Sequence, residues 1–194
     1  EIHRIPKSVE ETLYPVLEEF ALDIIVGSGP AARTMRLNVP KITIIGATTR
    51  LALLSAPLRD RFGLTLRLDY YQTDEMIEIV QRSAAMLSVK ITKQAAEQIA
   101  LRSRGTPRIA NRILKRAQDY IHVNGIDLLD EKTIKKVFDL LEIDSLGLTY
   151  LDKKYLDVLI NKFQNKPVGL ETLASSLSED KRTIEEFIEP YLLQ

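Results

Sequence analysis

The sequence predicts an α/β core segment followed by two all-helical units. Three observations carry this expectation. Lys41-Ile42-Thr43-Ile44-Ile45-Gly46 is a short β-branched apolar run, of the kind found in strands buried on both faces of a parallel sheet. From Thr73 onward the apolar spacing is helical only. Beyond Asp144 come three more helices, the last two joined by the short link Ser178-Glu179-Asp180, which suggests a helix-turn-helix or winged-helix module.

Each element has its own signal. Val9, Leu13, Val16, Leu17 and Phe20 follow helical spacing, with Ser8 as the expected N-cap and Glu11 completing a capping box. Two β-prone arms then flank Gly27-Ser28-Gly29-Pro30, and Met35, Leu37 and Val39 alternate with Arg36 and Asn38, which predicts a β-hairpin. The run at Lys41–Gly46 ends in Ala47-Thr48-Thr49-Arg50. Polar residues at the carboxyl end of a buried strand are where open α/β sheets place their ligands. Leu58-Arg59-Asp60-Arg61-Phe62-Gly63 follows a helical stretch, and Leu64–Tyr71 reads as a further strand. Thr73 is the expected cap of a helix reaching Leu87, with Asp74 and Glu75 placed to favour its dipole. Thr92 caps the next, ending near Gly105. Thr106 caps a third, with Pro107 at its first position, and Asp130 a fourth, through Leu141. The final unit is read as helices over Thr149–Phe163, Leu170–Leu177 and Lys181–Leu193.

Composition narrows the function classes. With 194 residues, 45% apolar and 28% charged, the chain can build one large or several small cores. No apolar run approaches the roughly 18 residues that would cross a bilayer. The absence of cysteine excludes disulfides and thiolate metal sites. Lys plus Arg equals Asp plus Glu, 27 each, so any contact with nucleic acid must come from a local patch. His3 and His122 show no metal-ligand spacing and read as structural. The chain opens on Glu1, shows no signal-peptide pattern, and ends on the apolar Tyr191-Leu192-Leu193-Gln194. The expectation is a piece of a longer chain.

Four segments belong together. Glu1-Ile2-His3-Arg4 is followed by GATTR at 46–50, LRDRFG at 58–63 and GTPRIANR at 105–112. Their order and spacing resemble the AAA+ ATPases, and their wording resembles the RuvB branch of that family along essentially the whole chain. EEFIEPYLLQ at 185–194 is similar to the branch's C-terminal module. The resemblance implies three parts. Residues 1–72 would be the C-terminal part of an AAA+ P-loop ATPase core, 73–145 an all-α lid, and 146–194 a winged-helix domain whose wing is missing. The phosphate-cradling loop is not found, since the chain has no Gly-Lys dipeptide. The expectation is that this stretch alone does not hydrolyse ATP.

The same resemblance assigns site residues. Glu1 matches the water-activating glutamate of the family's acidic pair, whose Mg²⁺-supporting aspartate would precede it. Thr49, with Thr48 beside it, matches sensor 1, where a hydroxyl orients water or reports on the γ-phosphate. Arg61 matches the arginine finger, a charged planar fork suited to the phosphate of a neighbouring subunit, while Arg59 reads as a local partner of Asp60. Arg108, in the first turn of its helix, matches sensor 2. Glu18, Glu19, Phe20 and Tyr71 match further nucleotide contacts, and Arg102 and Arg104 read as surface charges. Met35 and Leu37 match the apolar hairpin positions that dock the partner RuvA.

Implied cofactors are ATP/ADP and Mg²⁺. Implied partners are a homohexameric ring, RuvA, the double-stranded DNA of a Holliday junction, and RuvC in a larger assembly, in the cytoplasm and without a membrane. The implied activity is ATP-driven branch migration in recombination and repair. Clamp-loader or initiator relatives share the sensors and finger but are not expected to carry this hairpin or GTPRIANR. A non-enzymatic helix-turn-helix regulator is opposed by neutral charge and by Glu185, Glu186 and Glu189 on the last helix, against only Lys181 and Arg182.

Overall fold

The computed structural model describes residues 1–27, 29 and 32–193. The chain divides into two compact units, Glu1–Leu68 and Asp69–Gln194.

The first unit begins with a 3₁₀ turn, Ile2–Arg4, and helix α1, Lys7–Glu19. Its N-cap is Pro6 and not Ser8, so the expected capping box is not made. Proline fixes a backbone already suited to a helix start. The Pro6 carbonyl accepts from the N–H groups of Val9 and Glu10 at 2.9 and 3.0 Å. Helix α1 ends at Phe20, whose φ of 53° turns the chain into strand β1, Ala21–Val26. Strand β2, Arg33–Asn38, returns antiparallel and pairs Leu22 with Leu37 and Ile24 with Met35. Directly opposed residues share a face, so these four apolar side chains lie on one side of the hairpin. Ser28 and Pro30 of the expected turn lie outside the described residues. Helix α2, Ala56–Arg61, is capped by Ser55, whose hydroxyl accepts from the Leu58 N–H at 3.2 Å. The buried apolar residues of this unit are few: Val16, Ala21, Leu54 and Leu58.

The strands expected at Lys41–Gly46 and Leu64–Tyr71 do not form. The described residues contain one sheet, the β1–β2 pair. Ile45 is 89% exposed and Leu68 91%. A β-prone run becomes a strand only when neighbouring backbone pairs its N–H and C=O groups in a ladder, and no such ladder forms along either run among the described residues.

The second unit opens with four helices: α3 Thr73–Met86, α4 Lys93–Leu101, α5 Pro107–Val123 and α6 Glu131–Leu140. Helix α3 is capped one residue earlier than expected, at Gln72, whose N–H donates to the Glu75 carboxylate at 2.9 Å. Thr92 and Asp130 cap α4 and α6 as their residue types predict, accepting from Ala95 and Thr133 at 3.2 and 2.8 Å. Thr106 stands at the N-cap of α5 without a side-chain cap bond, because its hydroxyl donates to the Arg104 carbonyl at 3.0 Å. Met76, Val80 and Ala84 from α3 and Ala110, Ile113, Leu114 and Ala117 from α5 recur at helical spacing and close one core.

Three further helices form a second core around Tyr155, Leu173, Leu177, Ile184 and Ile188. Helix α7, Tyr150–Asp157, continues as a π-helical turn, Val158–Lys162. Helix α8 is Leu170–Leu177. Helix α9, Lys181–Thr183, runs through a second π turn, Ile184–Ile188, into α10, Glu189–Leu192.

Arg102 and Arg104 are not the surface charges the sequence suggested. Arg102 donates to the Asp144 carbonyl at 3.0 Å and lies 4.5 Å over the Phe138 ring, and burial pulls its guanidinium below the usual arginine range. The Arg104 side chain is 12% exposed and pairs with the buried Asp152. Long side chains can bury their stems and heads together when acceptors wait at the far end, a condition that composition does not reveal.

Candidate functional site

Two groups of side chains in the first unit bring expected site residues together. The first gathers at the amino end of the chain and the GATTR segment. The Ile2 N–H donates to the Ala47 carbonyl at 2.9 Å, tying the two backbones. Gly46 makes the approach possible, since a Cβ there would stand 2.7 Å from Ile2 Cδ1 and 3.2 Å from Phe62 Cζ. With the backbones held, the Thr49 hydroxyl lies 3.4 and 3.5 Å from the two Glu1 carboxylate oxygens, at the edge of hydrogen-bond reach. His3, expected to be merely structural, stands between the groups. Its Nδ1 is 3.1 Å from Glu1 Oε2 and 2.6 Å from Thr48 Oγ1, with the side chain 8% exposed. Thr48 Oγ1 also accepts from the Arg50 N–H at 3.0 Å. The cluster therefore joins a carboxylate, an imidazole and two hydroxyls, groups able to orient a water and share its protons.

The second group surrounds Arg61 at the end of α2. Its guanidinium lies 4.3 Å over the Tyr14 ring and donates to the Pro57 carbonyl at 2.8 Å. Its Nε is 3.1 Å from Glu18 Oε1, although that N–H forms no hydrogen bond. Two expected site residues, Arg61 and Glu18, thus meet each other. The base of the group is fixed by Glu10, which accepts from Ser55 and from the Tyr14 hydroxyl at 2.7 Å. Those two donors hold the Glu10 carboxyl below its usual range, and the Tyr14 phenol is raised by donating to it. Arg59 approaches Asp60 at 3.9 Å. Glu19 pairs with Arg36 of β2, which leaves it engaged on the hairpin. Phe20 is the left-handed residue ending α1, and its carbonyl accepts from Val39 at 2.7 Å.

On the hairpin, Met35 and Leu37 are 46% and 41% exposed, and their neighbours Ile25 and Val26 are exposed as well. Every residue of β2 is exposed.

In the second unit, Arg108 sits in the first turn of α5, exposed, and makes no hydrogen bond or ion pair with the described residues. The unsatisfied N–H groups of a helix start favour anions, and a free guanidinium beside them adds to that preference. Tyr71 is also exposed and lines a shallow hollow with Glu75, Glu78, Ile79 and Arg82. Its N–H donates to the Gly105 carbonyl at 3.0 Å, three residues before Arg108. Among the described residues, no cluster of three or more His, Asp or Glu side chains could hold a metal ion. No described helix is long and apolar enough to cross a membrane.

His3 and Arg104 are the residues that sequence reasoning passed over. For His3 the signal was position: it follows the expected catalytic glutamate by two residues. For Arg104 it was the segment RGTPR, in which Arg108 reads as a site residue and Arg104 as a surface charge.

Three family models match the chain in succession. The Holliday junction DNA helicase RuvB P-loop domain matches residues 1–68, the RuvB AAA lid domain 71–144, and the RuvB C-terminal winged helix domain 145–194. The solved structure of the Thermotoga maritima RuvB Holliday junction branch migration motor is similar at 43% identity and a TM-score of 0.76, over 100% of this chain and 60% of that one. A single-substitution variant of the Thermotoga maritima protein matches at 44% identity and a TM-score of 0.77, again over 100% and 60%. The chain thus spans 60% of the length of these relatives.

These matches correct two expectations. Residues 1–72 are not only the C-terminal part of an ATPase core, and the chain is not defined by a lacking P-loop part and a lacking wing. P-loop, lid and winged-helix domains are all represented. The expectation leaned on one absent local signal, a Gly-Lys dipeptide. A domain match weighs the residue pattern along the whole domain. Matched in order by three domains of one family, this chain belongs to the RuvB family.

Proposed function

We propose that this chain acts as the ATP-driven motor subunit of a homohexameric ring that moves double-stranded DNA through a Holliday junction, in homologous recombination and repair. The observation that carries this reading is the cluster of Glu1, His3, Thr48 and Thr49. A carboxylate within 3.5 Å of a hydroxyl, steadied by an imidazole at 3.1 Å, is suited to hold a water for attack on a phosphoryl group. Glu1 accepts a proton-side hydrogen bond from that water, and Thr49 fixes its orientation. His3 holds the Glu1 carboxylate directly, and Thr48 braces the imidazole.

The remaining residues fit ATP or ADP. Arg108, unpaired at a helix start, meets the phosphates in cis, and Tyr71 packs beside the base. Glu18, Glu19 and Phe20 are the first unit's own nucleotide contacts. Bound ATP supplies the transferable phosphoryl group. Mg²⁺ would be held mainly through the nucleotide's phosphates and would neutralise charge as the phosphoryl group transfers.

Arg61 acts in trans on a neighbouring subunit's nucleotide. Its present contacts are weak enough to release it. A cation–π contact at a partly open site contributes about 0.5–1 kcal/mol, and an exposed ion pair about 0–1 kcal/mol. A bidentate bond to phosphate in a closed interface exceeds both. Met35 and Leu37 supply the apolar surface that binds RuvA, and RuvC joins the larger assembly. The protein works in the cytoplasm.

The test is Arg61→Ala in the ring assembled with RuvA and junction DNA. ATP turnover is expected to fall by about three orders of magnitude, as removal of a trans-acting arginine does. Turnover equal to the unsubstituted protein would remove the finger assignment.

A further inference from the structure

The segment Ser103–Arg108 touches three parts of the second unit within six residues. Ser103 is buried, and its hydroxyl donates to the Ile99 carbonyl, anchoring the segment to α4. Arg104 and Gly105 are both left-handed, with φ of 54° and 57°. At Gly105 any side chain would collide, since a Cβ would lie 2.8 Å from the Tyr71 carbonyl oxygen and 2.9 Å from Tyr70 Cβ. The segment leading into the lid is thereby pressed onto this bend. Arg108 follows, in the first turn of α5.

Arg104 reaches the other way, into the winged-helix domain. Its Nη2 pairs with Asp152, and its Nε and Nη2 donate to the Gly147 carbonyl at 3.2 and 2.8 Å. The guanidinium lies 4.1 Å over the Tyr191 ring. Tyr191 in turn donates to the Leu146 carbonyl. Asp152 is 2% exposed and also accepts from the Thr149 N–H and hydroxyl, both at 2.7 Å, so it cannot follow Arg104 without disturbing the start of α7. A buried charge pair with its remaining hydrogen bonds satisfied is rigid, and removing one partner strands the other.

We propose that Arg104 is a positioning residue that couples the winged-helix domain to the Arg108 end of helix α5. This inference rests on the motor reading given above. Displacement of the winged-helix domain by DNA pulls on Asp152 and Gly147. Arg104 passes that displacement to a left-handed bend with little freedom to absorb it, and so to Arg108 four residues on. Two independent observations support the route: the forked contact onto Asp152 and Gly147, and the packing of the same bend against Tyr70 and Tyr71.

The experiment compares basal and junction-stimulated ATP turnover of the RuvA-assembled ring for Arg104→Ala, Arg104→Lys and the unsubstituted protein. In Arg104→Ala the stimulation ratio should fall by about five-fold or more, the usual lower bound of an allosteric coupling, while basal turnover and its KM stay near the unsubstituted values. Arg104→Lys should recover part of the ratio, because a point charge reaches Asp152 but cannot fork onto Gly147 as well. An unchanged ratio in Arg104→Ala would overturn the coupling, as would equal losses of basal and stimulated turnover. If Arg104→Ala does not fold, Tyr191→Leu removes the stacked ring from the solvent side. A lowered ratio there supports the coupling and an unchanged one overturns it. Absence of junction-stimulated turnover in the unsubstituted protein would instead overturn the motor reading itself, and this inference with it.

Discussion

The two units of this chain are held together by different forces. Glu1–Leu68 buries few apolar side chains and leaves Ile42, Ile45, Leu64, Leu66 and Leu68 exposed. Its order comes from polar contacts of long sequence reach, such as His3 to Thr48 and Ser55 to Glu10. Asp69–Gln194 closes two apolar cores, one within the lid helices and one around Tyr155 and Ile184. Hydrogen bonds contribute about 0.5–1.5 kcal/mol net each, whereas a buried aliphatic side chain contributes about 1.5–3 kcal/mol. The second unit should therefore carry most of the stability and the first most of the chemistry. Polar clusters able to rearrange suit a reaction site, and dense cores suit a lever.

Substitutions can break this contrast, and the largest effect belongs to the lid core. Leu114→Ala should lower the unfolding free energy by about 3 kcal/mol, within the range for leucine truncation at a fully buried site. A urea titration followed by circular dichroism measures it, and a loss below about 1 kcal/mol would mean that the core is looser than its burial indicates. His3→Ala should cost about 1 kcal/mol, because it removes one hydrogen bond from a mostly polar region. Its larger effect should be on turnover, since Glu1 loses its brace. Thr92→Ala removes the α4 cap and should also cost about 1 kcal/mol, seen in the same titration. Met35→Ser combined with Leu37→Ser should change stability by less than about 0.5 kcal/mol, because both side chains already face solvent. The same pair should abolish binding to RuvA by calorimetry. Retained binding would move the docking surface elsewhere.

Both units should also respond to pH. The Tyr155 phenol, buried and donating to Glu189 Oε1 at 2.9 Å, is pushed up to about 12 from an ordinary 10.0. A group whose folded pKa is raised contributes stability that is full below its unfolded value and lost as pH climbs toward its folded value. The winged-helix core should therefore weaken between pH 10 and about 12. Tyr155→Phe should flatten that limb of a pH-dependent melting series. Glu10 is depressed by Ser55 and Tyr14, the usual acidic case, so its contribution is present above 4.5 and lost as pH falls below it. The lid shares this acid-side loss through Asp130, depressed by its cap bonds to Thr133. The alkaline loss is shared by Tyr14 of the first unit, raised by its bond to Glu10, and Tyr155 of the winged-helix core.

How much the sequence revealed follows the same division. Helices of the second unit are local objects, and residues such as Thr92, Asp130 and Pro107 announce their ends in isolation. The hairpin was legible because alternation and register need only adjacent segments. Lys41–Gly46 was misjudged because a strand depends on a distant partner, which no local pattern reports. The site was partly legible. Glu1 and Thr49 were marked by their resemblance to a family, and the fold sets them within 3.5 Å. That His3 would join Glu1 to Thr48, or that Arg104 would bury its charge on Asp152, depends on which groups the fold brings opposite one another.

The two π turns have a consequence for chain length. A π turn is an α-helix that has accommodated one extra residue without breaking. Ile184–Ile188 holds such a surplus in the helix whose Ile184 and Ile188 seal the second core. Loss of a single residue within 184–188 would let the turn revert to the tighter α form and leave both flanks in their places. Loss of a residue from α5, which has no slack, would rotate every core position beyond it. Insertions and deletions among relatives should accordingly gather at the π turns.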